Sequence, residues 1–200
     1  MKKIFVAVIF MTFLGGSAAF AQTFMHSLGA SIMFGNAKSI DDGSGGSITP
    51  TLGLDAITYY PRINLTESDN SSVSVGIPLS LGFQGSVNTQ TGSSIAFGYD
   101  LPLVVDYNMG HKSTLDNEAG FGGYVGAGFG YTHTSVSVSD NYYGDYSATA
   151  NSYGPLIRAG IRFGIPWGEK EYSYTIGGWY KFGLEKDGFK TIGINLLWDF

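Results

Sequence analysis

The chain has 200 residues, a formal net charge of −5 and no cysteine. The missing cysteine excludes disulfide bonds and a lipid-modified N-terminal cysteine, and the negative charge argues against a nucleic-acid partner. Charged residues make up only 14% of the chain, although a soluble surface needs roughly a quarter to a third.

The N-terminal segment predicts export. Two lysines precede an apolar run, Ile4 to Leu14, and small residues then lead to Ala19-Phe20-Ala21. This order is typical of a secretory signal peptide, and the run is too short for a membrane-spanning helix. We expect cleavage after Ala21, so that residues 1–21 are the signal peptide and residues 22–200 form one domain.

Period-two alternation of apolar and small polar residues recurs along the rest of the chain, and helical periodicity does not. The clearest case is SVSVGIPLSLGFQ, in which apolar residues from Val73 to Phe83 occupy every second position. Segments rich in Gly, Ser, Asn and Asp separate such stretches, as turns separate strands. Eight strands are predicted, which begin near Ser27, Leu52, Val73, Ile95, Phe121, Tyr153, Tyr172 and Thr191.

Two connections can be tested by parity, because paired residues must share a face of the sheet. A two-residue turn at Gly168-Glu169 pairs Ile165 with Tyr172, and Gly at its first position suits a type II′ hairpin. The last connection needs an odd loop, and a three-residue loop from Asp187 to Phe189 pairs Leu184 with Ile192. The segments 62–72 and 108–118 are long for turns. They leave open where the strands end and whether the barrel has eight or ten strands.

The composition of the polar face separates a membrane barrel from a soluble, lipocalin-like barrel. That face consists mainly of Gly, Ser and Thr with isolated charges, which suits the crowded interior of a narrow barrel better than a soluble surface. The apolar face carries aromatic residues near the strand ends, as the girdles of a barrel in lipid do. One predicted girdle contains Tyr60, Tyr107, Trp167, Tyr172 and Trp198, and the other Phe34, Phe83, Phe97, Tyr131 and Tyr153.

On this pattern the chain resembles the small bacterial outer-membrane β-barrels of the OmpA/OmpX type, and more closely the outer-membrane barrel-domain proteins of Bacteroidetes-like bacteria. The resemblance implies an all-β, eight-stranded antiparallel up-and-down transmembrane barrel in the outer membrane of a Gram-negative cell. It also implies outer-membrane lipid and the barrel-assembly machinery as partners, and a monomer. In such families the last strand is the assembly signal, here Ile192, Ile194, Leu196, Trp198 and Phe200, and both termini lie in the periplasm.

The inward face of the predicted barrel carries charges of both signs, which must pair because an unpaired buried charge costs several kcal/mol. The Gly168-Glu169 turn places Arg158 opposite Trp179, within reach of a cation–π contact. The charges either plug the lumen as a structural network or gate a narrow ion path. The predicted lumen network consists of Asp55, Asp100, Asp106, Arg158, Arg162, Lys181, Glu185 and Trp179.

Candidate catalytic and metal-binding residues are few. His133 and Ser135 resemble the His-x-Ser pair of outer-membrane lipid A deacylases, but Val136 follows where that motif has Asn, and no acidic partner is placed. His26 and His111 stand alone in the sequence, and the acidic outer loops lack the ligand spacing of a calcium site. We expect no enzyme activity, no metal site and no cofactor.

These observations favour a non-enzymatic envelope protein whose outer loops meet something outside the cell. Tyr142, Tyr143 and Tyr146 are the predicted contact residues, because Tyr is favoured in binding surfaces. An unknown extracellular ligand is therefore a possible partner. The alternatives are a narrow pore gated by the lumen charges and, third, a lipid A-modifying enzyme.

Overall fold

The computed structural model describes residues 23–36, 40–41, 47–48, 51–88, 92–117, 119–140, 144–168, 170–185 and 190–200, so the expected signal peptide lies outside the described residues. The strands are β1 (Phe24–Asn36), β2 (Ile40–Asp41), β3 (Ser47–Ile48), β4 (Thr51–Ser68), β5 (Ser71–Gly76), β6 (Leu79–Asn88), β7 (Gly92–Gly110), β8 (Phe121–Asp140), β9 (Gly144–Trp167), β10 (Lys170–Lys181) and β11 (Lys190–Asp199). Among these residues, no helix has the length and apolar character needed to cross a bilayer.

The long strands close into a ring. From β4 to β11, consecutive strands pair antiparallel, except that β5 and β6 do not pair with each other. β1 closes the ring by pairing with β11 on one side and β4 on the other. β5 and β6 together act as one barrel strand between β4 and β7, so the ring has eight strands as predicted. β2 and β3 form a separate two-stranded hairpin between β1 and β4.

The interruption between β5 and β6 has a local cause. Pro78 has no backbone N–H to donate to the ladder, so the strand is interrupted at Ile77-Pro78. The backbone nevertheless continues in register, because the Ile77 N–H donates to the Pro61 carbonyl at 3.1 Å. The register with β4 shifts only further on, between Asn64 and Thr66, where Leu65 is the extra residue of a bulge.

The two rims of the barrel differ in their connections. We call one rim the turn end. It contains the start of β1, the end of β11, the Asp69-Asn70 turn, residues 111–120 and the turn at Gly168. At the other, the loop end, lie the connections that follow β1, β6, β8 and β10. The predicted long segment 62–72 is therefore mostly strand with a two-residue turn, whereas residues 111–120 remain a long connection.

The barrel is apolar outside and polar inside. On the last strand, Ile192, Ile194, Leu196 and Trp198 face outward, and Thr191, Asn195 and Asp199 are buried in the lumen. The same alternation runs around the ring, with outward Ile57 and Ile95 two-thirds exposed, at 66% and 67%. In a bilayer these side chains contact hydrocarbon, and the closed ring satisfies the backbone hydrogen bonds. Nine of the ten predicted girdle residues lie on this outer face; Tyr60 does not.

Of the two predicted strand alignments one is correct and one is wrong, and the prediction that Tyr60 faces outward is also wrong. Ile57 and Tyr59 of β4 pair with outward Ala30 and Leu28, which turns Tyr60 into the lumen. Tyr180, not Leu184, pairs with Ile192, because β10 leaves β11 after Lys181 while Phe182 and Leu184 still donate to β9 carbonyls. The hairpin at Gly168 has the predicted register, with Ile165 opposite Tyr172, and Gly168 has a φ of 66°.

Candidate functional site in the lumen

The half of the lumen near the loop end is organised around Lys181. Its ammonium group, fully buried, donates to the Asp100 carboxylate at 3.2 Å and to the Thr132 hydroxyl. The Thr132 hydroxyl in turn donates to Asp100. A row of hydroxyls from Ser31, Thr58 and Ser80 crosses the opposite wall, with 2.7 Å between the Thr58 and Ser80 oxygens. This half is filled by hydrogen-bonded polar groups.

The centre of the lumen is organised around Asp106, which is fully buried. The Tyr60 hydroxyl donates to its carboxylate, and the Arg158 guanidinium Nε lies 3.6 Å from the other carboxylate oxygen. β4, β7 and β9 supply these three side chains, and the inward turn of Tyr60 described above is what completes the cluster.

Three arginines and two tyrosines form a stack across the lumen, which we call the Arg–Tyr stack. The Arg158 guanidinium lies between two rings, 4.5 Å from the Tyr60 centroid and 4.6 Å from the Tyr124 centroid. At the two outer positions, Arg62 lies 5.9 Å from the Tyr60 centroid and Arg162 lies 4.9 Å from the Tyr124 centroid. Cations over aromatic faces attract the rings, so the stack ties together β4, β8 and β9.

The connection at residues 111–120 closes the turn end, and we call it the cap. Its Lys112 carbonyl accepts hydrogen bonds from Arg62 at 2.8 Å and from Arg162 at 3.4 Å, so it joins both ends of the Arg–Tyr stack. The carbonyl of Ser113 accepts from Asn64 at 3.0 Å and from Ser72 at 2.5 Å. Lys112 adopts a φ of 53°, an uncommon conformation for a residue other than glycine.

His111 fixes the cap to the wall of the barrel. It is 1% exposed, and its Nε2 lies 2.9 Å from the Ser173 hydroxyl while its Nδ1 donates to the Ala119 carbonyl at 2.5 Å. Ser173 also contacts Asp199, whose carboxylate accepts hydrogen bonds from Ser27 and Thr175. His111 is therefore part of the structural closure of the lumen and is not isolated.

Glycines in the wall make room for the large lumen side chains, as the composition of the polar face predicts. A Cβ on Gly193 would lie 2.1 to 2.5 Å from ring atoms of Trp179, and one on Gly160 would lie 2.5 Å from the Tyr124 ring. No real Cβ approaches other atoms so closely, which explains glycine at these two positions.

The structure brings together five of the predicted lumen charges and displaces two. Asp100, Asp106, Arg158, Arg162 and Lys181 are all buried in the lumen. Asp55 is exposed on the outer face, because β4 pairs it with outward Ile32 and Phe83. Glu185 is half-buried beyond the end of β10, where its carboxylate accepts from the Tyr153 N–H.

The predicted cation–π contact of Arg158 with Trp179 is wrong, because Arg158 contacts other aromatic rings. The two residues are paired as predicted, but Arg158 stacks on Tyr60 and Tyr124, whereas Trp179 packs near Met33, Ala56 and Ala96. Arg62 and Asp199 were not predicted as members of the lumen network, and His111 was predicted to stand alone. A two-residue turn at Asp69-Asn70 could have been recognised in the sequence. It would have extended β4 through Arg62 and so predicted that Arg62 lies in a strand.

The remaining candidates lie outside the lumen. The His133 Nδ1 donates to Asn151 at 2.7 Å and its ring stacks on Tyr99, so the imidazole is engaged away from Ser135. Within the part of the chain that the structure describes, no group of three or more His, Asp or Glu side chains is placed to hold a metal ion. Tyr142 and Tyr143 lie outside the described residues, and Tyr146 is described only in its backbone.

The end of β11 meets an aromatic cluster at the turn end. The Phe200 N–H donates to the His26 carbonyl at 3.1 Å, and its ring lies 4.1 Å from the His26 ring and 4.9 Å from that of Trp198. His26 thus belongs to the outward aromatic rim, beside Tyr59, whose hydroxyl lies 3.4 Å from the imidazole Nδ1.

Comparisons with known proteins agree with this geometry at the level of the fold. No family model matches the chain, and no curated protein matches it in sequence. The crystal structure of Neisserial surface protein A (NspA) matches with a TM-score of 0.51 at 11% identity, over 87% of this chain and 95% of that one.

Two further solved structures match at lower TM-scores. Ail, the attachment invasion locus protein of Yersinia pestis, in complex with the heparin analogue sucrose octasulfate, has a TM-score of 0.43 at 13% identity, over 88% of this chain and 99% of that one. The N-terminal β-barrel domain of Pseudomonas aeruginosa OprF has a TM-score of 0.41 at 16% identity, over 89% and 100% of the two chains. These two TM-scores are too low to support a conclusion about this chain. The closed ring and the likeness to NspA together identify the fold as that of the small, eight-stranded outer-membrane β-barrels.

Proposed function

We propose that the protein is a non-enzymatic outer-membrane β-barrel with a closed lumen, which acts in the envelope as a structural or surface-interaction protein. In this proposal residues 1–21 direct export, the turn end faces the periplasm and the loop end faces outward. The assembly machinery reads the last strand from Ile192 to Phe200. The apolar exterior supports a place in the membrane, and the short turns at Asp69-Asn70 and Gly168 support this orientation.

The observation that carries the proposal is the closure of the lumen. The Arg–Tyr stack spans the interior from β4 to β9, and the cap joins both outer arginines through the Lys112 carbonyl. An eight-stranded barrel has room for side chains but not for an aqueous channel, and here large side chains occupy that room. A filled interior leaves the rims as the surfaces at which the protein meets partners.

The contact region of the proposal is the loop end. Four connections lie there. The connection between β8 and β9 contains the predicted contact residues Tyr142 and Tyr143, and the third, Tyr146, follows near the start of β9. Loops held by a rigid barrel are where binding residues concentrate, because they change without disturbing the scaffold. Single cysteines placed at these tyrosines should react with a membrane-impermeant thiol reagent on intact cells. A lack of labelling at all three positions would contradict the outward orientation.

Planar-bilayer recording tests the closed lumen against the narrow, gated pore. Wild-type protein should conduct little. Arg158→Ala and Arg162→Ala should lower the temperature of unfolding without opening a stable channel, because removal of one partner leaves the rest of the network in place. Asp55→Asn, which changes a charge outside the lumen, is the matched control. Large and stable conductance steps in either arginine variant would instead identify the lumen charges as a gate.

A further inference from the structure

A small cavity interrupts the packing of the lumen between the Lys181 half and the Arg–Tyr stack. Its volume is about 20 Å³, counted for the centre of a water-sized sphere, which is enough for a single small ion or one to two water molecules. The strands β4, β7, β9, β10 and β11 all contribute to it. Its lining consists of Thr58, Pro78, Ser80, Asp100, Pro102, Leu156, Arg158, Trp179 and Asn195.

Two of the residues that line this cavity, Arg158 and Trp179, carry hydrogen-bond donors without partners. The Nη1 and Nη2 atoms of Arg158 are buried and have no acceptor among the described residues, and the same is true of the Trp179 indole Nε1. Such groups are costly to bury unsatisfied, more so when they carry charge. The Asn195 Oδ1 also has no partner, and a rotation of its amide exchanges this acceptor for an N–H donor.

The charges of the lumen do not balance. Among the described residues, the buried cations are Arg62, Arg158, Arg162 and Lys181, and the buried carboxylates are Asp100, Asp106 and Asp199. Four positive and three negative groups leave an excess of one positive charge before His111 is counted. Asp100 also lines the cavity, but Lys181 neutralises it at 3.2 Å. Asp106 lies 3.6 Å from Arg158, so the excess positive charge lies toward Arg62 and Arg162, at the two outer positions of the Arg–Tyr stack whose central arginine, Arg158, lines the cavity.

We propose that this cavity binds one monovalent, halide-sized anion, chloride in ordinary buffers. The anion accepts hydrogen bonds from the Arg158 guanidinium and the Trp179 indole and brings the buried lumen to neutrality. Water alone satisfies the donors but leaves the charge. The inference depends on the geometry of the lumen and not on the proposed surface role, so the two can fail separately.

Saturable halide quenching of Trp179 tests the site directly. Trp167→Phe and Trp198→Phe, at positions 77% and 43% exposed on the outer face, leave Trp179 as the only tryptophan. This variant is refolded into detergent micelles in sodium gluconate, so that each added halide can enter during folding. Bromide and iodide should quench the fluorescence with a saturating dependence on concentration, and chloride should compete and restore the emission.

A stability measurement on the wild-type protein gives a second readout of the site. Chloride and bromide should raise the midpoint of thermal unfolding by several degrees over gluconate at the same ionic strength, because a ligand that binds only the folded state stabilises it. Arg158→Met should abolish both effects, whereas Lys190→Met, which removes an exposed positive charge elsewhere, should retain them. Quenching that rises linearly without chloride competition, or unfolding midpoints that follow ionic strength alone, would overturn the proposal and leave a cavity filled by water.

Discussion

At the scale of single residues, the lumen depends on glycines that face large side chains. Gly193→Ala places a methyl group where ring carbons of Trp179 lie, as close as 2.1 Å to the new Cβ. Overpacking of this kind costs about 1–3 kcal/mol, so the free energy of unfolding should fall by that amount. Urea unfolding in lipid vesicles measures it. Gly120→Ala is the control, because nothing lies within 4 Å of the Cβ it adds. Equal stabilities of the two variants would contradict the packing role.

Asp106 and Asp55 provide a matched pair of carboxylates. Asp106→Asn removes the buried charge that faces Arg158 at 3.6 Å and accepts from Tyr60. The arginine is then buried without its counter-charge, which costs about 3–5 kcal/mol. Asp55→Asn, on the exposed outer face, should change the unfolding free energy little. The same urea titration compares the two variants. A larger loss of unfolding free energy in Asp55→Asn than in Asp106→Asn would indicate that Asp55 lies in the lumen.

Residue positions in the lumen were predictable where the alternation is clean and not where it is blurred. Arg158, Arg162 and Lys181 lie on strands with one polar face, and their inward direction follows from parity alone. On β4 both faces carry apolar residues, so the sequence does not say whether Tyr59 or Tyr60 faces inward. The pairing with β1 decides this, and it is a contact between distant segments.

At the scale of elements, the cap is the part of the lumen that a chemical probe can follow. The chain has no cysteine, so Ser113→Cys introduces a single thiol at a fully buried position. It should react slowly with a water-soluble thiol reagent, whereas Leu115→Cys, at a position that is 55% exposed on the same cap, should react fast. The two labelling rates, measured in micelles by mass spectrometry, give the comparison.

Arg62→Met added to Ser113→Cys tests what holds the cap in place. Loss of the hydrogen bond from Arg62 to the Lys112 carbonyl should accelerate labelling of Cys at position 113, because the cap then opens more often. Lys190→Met, which also replaces a basic residue by Met but at an exposed position at the loop end, serves as the control background. Unchanged labelling in the Arg62→Met background would show that the other cap contacts suffice.

Connections were predictable where turn chemistry is local. The hairpin at Gly168 needs only two residues and a positive φ at glycine, both of which the sequence contains. The connection after β10 depends instead on where the strand leaves its neighbour. Phe182 and Leu184 continue to donate hydrogen bonds to β9, while β11 begins only at Lys190. The chain after β10 therefore stays paired on one side and not on the other, and the alternation of apolar and polar residues does not predict this difference.

At the scale of the whole molecule, the apolar exterior predicts behaviour in detergent. The folded protein should migrate differently from the heat-denatured protein in detergent gels, because the closed barrel resists unfolding by the detergent. It should also fractionate with the outer membrane of cells that express it. A folded form that stays monomeric in buffer without detergent would contradict the membrane barrel and favour a soluble barrel of the lipocalin kind.

The Arg–Tyr stack has a consequence for the order in which the barrel assembles. Arg62 comes from β4, and Arg158 and Arg162 come from β9, on the opposite side of the ring. No hairpin contains both halves of the stack, and in an open sheet that runs from β4 to β9 the two halves lie on opposite edges. An incompletely curled sheet therefore presents three arginines to water on its concave side and resists transfer into hydrocarbon. Charge burial and ring closure become a single late event, and the time course of membrane insertion should follow the sealing of the β1–β11 seam.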